Sequence, residues 1–384
     1  MNQYTADLAN CKGLPSEPGR AALQVCAITS RAASPDRFGP QVDLQPVIDV
    51  QGTGLKPSNF NPVALREVYQ AIIHSKPDVV HFTGPHLWNP ILLWLMRRAK
   101  IPTIHTIHDL DPHSGASYGR LLYVWNNSIK RLADHILVHS QAYRARLIAQ
   151  GVAADRVTYA PLLHLFMSYE SEQALQNRLP HIPTNPTECQ TPFALFFARL
   201  ESYKGIDVLM AALRQLDGNS QMRVVIAGKG DIQPLLNGGL PGNVEVRNRQ
   251  IGDQEAIDLF SNCSVVVLPY LDATQSALVA AAYFFGKPVI VTRTGALPEY
   301  VIPEETGWII EPRNSSALVD CLRWAFNDLA GLARMGQTGH SWYVAQRRLE
   351  RHALQLMYDY VGRTKSAVDV EARQLQGKMH VNDR

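Results

Sequence analysis

The chain predicts a two-domain α/β protein in which each half is a doubly wound parallel sheet, and three observations lead there. Its 384 residues exceed what one hydrophobic core usually organises. Short apolar runs alternate with helix-length amphipathic stretches from one end to the other, the pattern of βαβ units around a parallel sheet. One polar, proline-rich segment, NRLPHIPTNPTECQTP, interrupts the alternation and divides it into two series.

The first series opens with NQYTADLAN, which reads as a helix. Strands follow over 23–29, 79–82, 103–107, 135–139 and 156–160, with helical patterns near 62–74 and 90–98. An α/β domain normally begins with a strand and a glycine-rich loop. None precedes the opening helix, so the expectation is a domain lacking its first strand, by truncation or loss, with an unpaired sheet edge. The second series places strands at 194–197, 224–227, 244–246, 265–268 and 289–291, and residues 341–361 form an amphipathic helical pattern. The expected division is an amino-terminal domain over 1–183, a linker at 184–192, a second domain over 193–340, a helix over 341–363 and a polar tail over 364–384.

Composition narrows the function classes. Residues are 46% hydrophobic and 18% charged with a formal charge of +3, an ordinary globular balance, and no Lys/Arg block or RNA-binding motif points to nucleic acid. The five cysteines are scattered and lack CxxC spacing, so neither a disulfide framework nor a zinc site is expected. No apolar run approaches the roughly 20 residues that cross a bilayer, and the first residues lack a signal-peptide pattern. A cytoplasmic protein is expected. Its weakly basic surface is compatible with peripheral contact at an anionic membrane.

Chemistry concentrates where predicted strands end. In FARLESYKGIDVL, Arg199 and Lys204 lie on a loop between a strand and an apolar helix, suited to gripping a diphosphate and neutralising a leaving group. Two solvated surface cations are the structural alternative. In VVVLPYLDATQSALVAAAYFFGKPVIVT, residues Asp272, Thr274, Gln275 and Ser276 form a polar turn before a helix, where free backbone N–H groups and the helix dipole favour phosphate. A plain helix cap is the structural alternative there. Ala227-Gly228-Lys229-Gly230 closes another strand, by itself the signal of a turn. In the first half, His105, His108, Asp109 and His113 cluster at the end of a buried strand, and His81 and His86 at the end of another. Their loop spacing fixes no ligand geometry, so no metal is expected. His108 beside Asp109 is a candidate for contact with a substrate hydroxyl, a structural hydrogen bond being the alternative. GxSxG and Walker A motifs are absent from the sequence.

Taken in order, FARLESYKGIDVL, VVIAGKGD, LPYLDATQSALVAAAYFFGKPVIVTRTGALPE and TGWIIEP resemble the retaining glycosyltransferases of family 4. DVVHF, IPTIHTIHDLDP and ADHILVHSQA resemble that family's amino-terminal half. The resemblance implies the GT-B fold, two facing Rossmann-like domains with an interdomain cleft and a nucleotide-sugar donor on the carboxyl-terminal one. It implies Arg199 and Lys204 on the donor diphosphate, Gly228, Asp272, Thr274, Gln275 and Ser276 around the donor, His108 and Asp109 at the transferred sugar, and His81 on the acceptor side. No cofactor or metal is implied. The implied acceptor is a glycan or a lipid-linked intermediate of polysaccharide or cell-surface glycan synthesis. A contact of Arg97, Arg98, Lys100, Lys130 and Arg131 with an anionic membrane is the accompanying expectation.

The chain departs from the family pattern in three places. Ala273 and Ala281 stand where the family has two glutamates, Ala277 stands where an ATQSG loop has glycine, and the first strand with its glycine-rich loop is missing. Two other functions are therefore weighed: a silent homologue acting at most as a binding protein, and a nucleotide-sugar epimerase of the same fold.

Overall fold

The computed structural model describes residues 2–12, 24–48, 60–111, 119–165, 167–176, 192–216, 222–231 and 239–379. Residues 184–191 of the expected linker, and His113, lie outside them. The chain divides into two compact units, one of Met1–Pro112, Ser117–Pro161 and Leu349–Arg384, the other of His113–Ala116 and Leu162–Arg348.

The first unit holds α1 (Asn2–Lys12), β1 (Val25–Ser30), β2 (Val42–Ile48), α2 (Pro62–His74), β3 (Val80–Phe82), α3 (Asn89–Arg98), β4 (Thr103–Ile107), α4 (Gly119–Leu132), β5 (His135–Val138), α5 (Gln141–Ala149) and β6 (Val157–Tyr159). Every strand pairing is parallel, as the alternation predicts. The strands nevertheless fall into two sheets, β1-β2 and β3-β4-β5-β6. Among the described residues β1 and β3 each have a single pairing partner and do not pair with each other. Side chains bridge that break: Ile28 of β1 packs in one apolar cluster with Val80 and Phe82 of β3 under Trp88, Leu92 and Met96. β2 is absent from the sequence expectation because Pro46 breaks its apolar run. Proline is tolerated there since β2 is an edge strand.

The second unit holds α6 (Tyr169–Gln176), β7 (Phe193–Phe197), α7 (Ile206–Gln215), β8 (Arg223–Gly228), β9 (Val244–Asn248), α8 (Asp253–Asn262), β10 (Val265–Leu268), α9 (Ala277–Phe284), β11 (Val289–Thr292), β12 (Gly307–Ile310) and α10 (Ser315–Asn327). Its six strands are all parallel in the order β12-β11-β10-β7-β8-β9. The chain starts at the middle with β7, builds outward to β9, then returns beside β7 with β10 and builds the other way. That reversal makes a topological switch point between β7 and β10. β10 and β11 are buried on both faces, which is why VVVL and VIVT read as continuous rather than alternating apolar runs. α9 is buried almost all round, from Val279 to Phe284. A long helix, α11 (Leu329–Met379), contributes to the second unit up to Arg348 and to the first from Leu349. The helix expected over 341–363 is its middle, and it runs on through positions expected as tail.

Candidate functional site

In open α/β sheets ligands bind outside the carboxyl ends of the strands at the switch point. Here those ends carry the two loops that the sequence singles out, since β7 leads to Arg199 and Lys204 and β10 leads to Tyr270 and the 272–276 turn. The two loops are in direct backbone contact. Gly205 has φ +69°, and a Cβ built on it would lie 1.8 Å from the Pro269 carbonyl oxygen. Only glycine permits both the left-handed conformation and that approach. The Leu271 N–H donates to the Tyr203 carbonyl at 2.8 Å, completing the join.

The join sets Lys204 over an aromatic floor. Its ammonium lies 3.7 Å from the centroid of the Tyr270 ring and 4.9 Å from that of Tyr203. Both distances are within cation–π range. Tyr270 is fully buried, its carbonyl accepts from the Thr292 hydroxyl at 2.6 Å, and its phenol oxygen lies 3.5 Å from Ser276 Oγ. Among the described residues Lys204 forms no ion pair. Burial, reinforced by the nearby Arg199 guanidinium and opposed by Glu201, lowers its pKa to about 8. An ammonium so placed gains by meeting an anion.

Arg199 is far more exposed, at 74% of its side chain, and pairs with Glu201 at 2.9 Å. Its guanidinium reaches the Tyr203 hydroxyl at 3.5 Å, so both cations converge on Tyr203. The polar turn meets the same loops. Ser276 is the N-cap of α9, accepting from the Leu278 N–H at 3.4 Å, so the capping role weighed as an alternative is present. The half-buried Asp272 and Gln275 and the buried Thr274 precede it, and the Thr274 carbonyl accepts from the Ala296 N–H at 2.9 Å. Gly228, at φ +145°, backs the Ala198 carbonyl so closely that a Cβ would lie 1.7 Å away. Its visible work is to pack the ends of β7 and β8 together. Ala273 and Ala281 are buried and supply no carboxylate.

In the first unit the histidines have separate hydrogen-bond partners, although the His108 and His139 rings lie 5.3 Å apart beside the same Tyr4 ring. His105 is fully buried, and its Nε2 accepts from Asn89 Nδ2 at 2.8 Å. Burial pushes it down to about 3. His108 donates from Nε2 to the Thr83 carbonyl at 2.9 Å and meets the Tyr4 ring edge-on at 4.9 Å. Burial also lowers the His108 pKa, so the ring is neutral near pH 7. Half-buried Asp109 follows it, its carbonyl accepting from Asn126 Nδ2 at 3.0 Å. His81 lies between Tyr358 and Thr106, with Nε2 2.8 Å from the threonine hydroxyl. No group of three or more His, Cys, Asp or Glu among the described residues is arranged to hold a metal ion.

Sequence reasoning missed Tyr203 and Tyr270 in the second unit and Tyr4 in the first. The signal was present for the first two, an aromatic residue next to a candidate cation and another directly after a buried strand.

Two family models match the chain in tandem, a glycosyl transferase 4-like domain over residues 2–162 and glycosyl transferases group 1 over residues 191–328. The chain belongs to the family-4-like glycosyltransferases. It is therefore a transferase by family. Among curated relatives of this glycosyltransferase, a sulfoquinovosyl transferase of Arabidopsis thaliana is 23% identical over 311 residues, 73% of this chain and 57% of the relative. A D-inositol 3-phosphate glycosyltransferase of Corynebacterium diphtheriae is 23% identical over 309 residues, 72% of this chain and 70% of the relative. Solved structures similar in fold include sucrose-phosphate synthase from Thermosynechococcus elongatus, with TM-score 0.66, 22% identity and 90% of each chain covered. HepE of Anabaena, solved with UDP-glucose, has TM-score 0.60 and 20% identity over 83% of this chain and 86% of its own. The fold is that of these GT-B glycosyltransferases, α/β with parallel sheets.

Proposed function

We propose that this glycosyltransferase moves a hexose-type sugar from a nucleotide-sugar donor to a glycan or lipid-linked acceptor, with retention at the anomeric carbon. The observation that carries the donor assignment is Lys204, an ammonium lacking an ion pair among the described residues and seated on two tyrosine rings at a switch point. Its natural complement is the donor diphosphate. Arg199 supplies the outer cation and the first turn of α9 supplies backbone N–H groups.

In the reaction, the bond between the anomeric carbon and the diphosphate oxygen breaks while the acceptor hydroxyl attacks from the same face. Negative charge grows on the departing phosphate. Lys204, Arg199 and the α9 N-terminus stabilise that charge more in the transition state than in the bound donor, which is what lowers the barrier. The acceptor proton leaves with the phosphate oxygen, so atoms and charge balance. Asp272, Thr274, Gln275 and Ser276 are assigned to the sugar and phosphates, Gly228 to the donor loop, His108 and Asp109 to the transferred sugar, and His81 to the acceptor side, as in the family pattern. The reading extends to polysaccharide or cell-surface glycan synthesis at the inner face of a membrane.

HepE was solved with UDP-glucose, which makes uridine nucleotides the first donors to test. Isothermal calorimetry with UDP-, GDP- and ADP-sugars is expected to give binding heat with one, lost in Lys204→Ala. Heat with none sinks the donor assignment. A second reading, a silent donor-binding homologue, is favoured by Ala273 and Ala281 in place of carboxylates. Donor binding without hydrolysis or transfer over long incubation would select it.

A further inference from the structure

The histidines assigned to the transferred sugar and to the acceptor side are both held from α1. Tyr4 is 7% exposed, and its ring meets His108 edge-on at 4.9 Å and His139 edge-on at 5.1 Å, while the two imidazoles lie 5.3 Å apart. The three rings form one closed cluster at aromatic packing distance. Each imidazole donates an N–H to a backbone carbonyl, His108 to Thr83 at 2.9 Å and His139 to Ala160 at 2.8 Å. Such a bond fixes the ring nitrogen more closely than the ring plane, because acceptor directions at a carbonyl oxygen are broad. The Tyr4 edge restricts the plane. Thr5, the next residue, reaches the same anchor, its hydroxyl 2.6 Å from that of Thr83, whose carbonyl accepts from His108.

The Tyr4 hydroxyl reaches the other histidine. Its oxygen lies 3.2 Å from the Thr106 hydroxyl, which lies 2.8 Å from His81 Nε2, and His81 Nδ1 is hydrogen-bonded to Tyr358 of α11. α1 is itself clamped, since Asn10 donates to the Arg37 carbonyl at 2.8 Å and accepts from the Gly39 N–H at 2.6 Å. An aliphatic side chain would fill the space under the helix, and burying a phenol costs free energy unless its oxygen is bonded. Space filling alone therefore does not account for a tyrosine here. We propose that Tyr4 is a positioning residue for the transfer, its ring edge holding His108 and its hydroxyl, through Thr106, holding His81, with Thr5 setting the carbonyl that fixes the His108 tautomer. This rests on the reading that places His108 at the transferred sugar and His81 on the acceptor side. Misplacing a group that touches the reacting sugar by about 1 Å costs on the order of a hundredfold in rate, so the support of the histidine matters as well as the histidine.

The first readout needs no substrate: ring-nitrogen NMR signals of the histidine-labelled full chain, assigned by their loss in His108→Gln and His81→Gln. In the parent, His108 is expected as a single Nε2–H tautomer. Tyr4→Leu is expected to give a tautomer mixture at His108 and to move the His81 signals, whereas Tyr4→Phe restores the ring and is expected to move His81 alone. Thr5→Val removes the hydroxyl at little change in volume and is expected to perturb His108 and leave His81 in place, which keeps the test decisive where Tyr4→Leu does not fold. Leu8→Ala, at another buried position of α1, is expected to lower the unfolding midpoint with both histidines unchanged. The second readout is hydrolysis of UDP-glucose, the ligand of the HepE structure. There Tyr4→Leu is expected to lower kcat about tenfold with KM within about twofold, and Tyr4→Phe to recover most of the rate. An unmoved His108 in both Tyr4→Leu and Thr5→Val overturns the proposal. So does the same NMR change, or the same loss of kcat, in Leu8→Ala. A tautomer change in Tyr4→Leu together with parent-rate hydrolysis in His108→Ala instead overturns the placing of His108 at the sugar, with the Tyr4 contact left standing.

Discussion

Lys204 is the residue on which the donor reading turns. Its ammonium is desolvated and beside Arg199, and its pKa of about 8 lies well below the usual lysine value. A bound diphosphate favours the charged form and raises that pKa. Donor binding is therefore expected to take up a proton between pH 8 and 10, measured as a buffer-dependent calorimetric enthalpy that vanishes in Lys204→Met. The sign for stability is the reverse of that for a paired lysine. With the folded pKa depressed, the unfolded chain holds more protons between about pH 8 and 10.5, so this residue's contribution to stability rises with pH across that window. Lys204→Ala is expected to cut turnover roughly a hundred- to a thousandfold, with the unfolding midpoint unchanged or slightly higher. Tyr270→Phe keeps the ring beneath the ammonium and is expected to turn over near the parent rate, whereas Tyr270→Leu removes it and should lose at least about tenfold. Equal rates for the two would show that the ring does not position Lys204.

At the scale of elements, the site depends on the ends of β7 and β10 being pressed together. Gly205→Ala would put a methyl 1.8 Å from the Pro269 carbonyl at a positive φ, so the loops must part. Chemical denaturation is expected to show a loss of more than about 2 kcal/mol, with donor heat abolished even where the protein remains folded. Gly151→Ala shares the positive φ but has nothing within 4 Å, so it should cost less and leave donor binding alone. Preserved donor heat in Gly205→Ala would separate the loop contact from the site. The residues of this region were partly legible. Arg199 and Lys204 share one loop, and Ser276 announces a helix start from its own neighbours, so local spacing identified them. Tyr270 was not legible as the partner of Lys204, because that contact exists only where two strands distant in sequence become neighbours.

For the whole molecule, acid sensitivity is expected to come from histidines buried neutral in the first unit. His105 and His135 are pushed down to about 3 and 4 by burial. The unfolded chain protonates them near pH 6.5, so stability is lost as pH falls from there towards the folded values, roughly 2 kcal/mol for His105 by pH 5. Denaturation midpoints between pH 7 and 5 should fall, and less steeply in His105→Gln. The first unit also shows where pattern reading stops. β2 hid behind Pro46, and the break between β1 and β3 was not legible, since pairing is a property of which strands lie side by side.

The sequence by itself determined the parallel α/β architecture, the strand-end loops that carry cations, and the family, because apolar periodicity and short motifs are local and survive without coordinates. Tertiary structure alone decided that Lys204 rests on Tyr270, and that His108 and His139 of the first unit pack against one Tyr4 ring while each keeps its own hydrogen-bond partner. Those are consequences of chain reversal at the switch point and of strand adjacency, which bring together residues that no window of sequence contains.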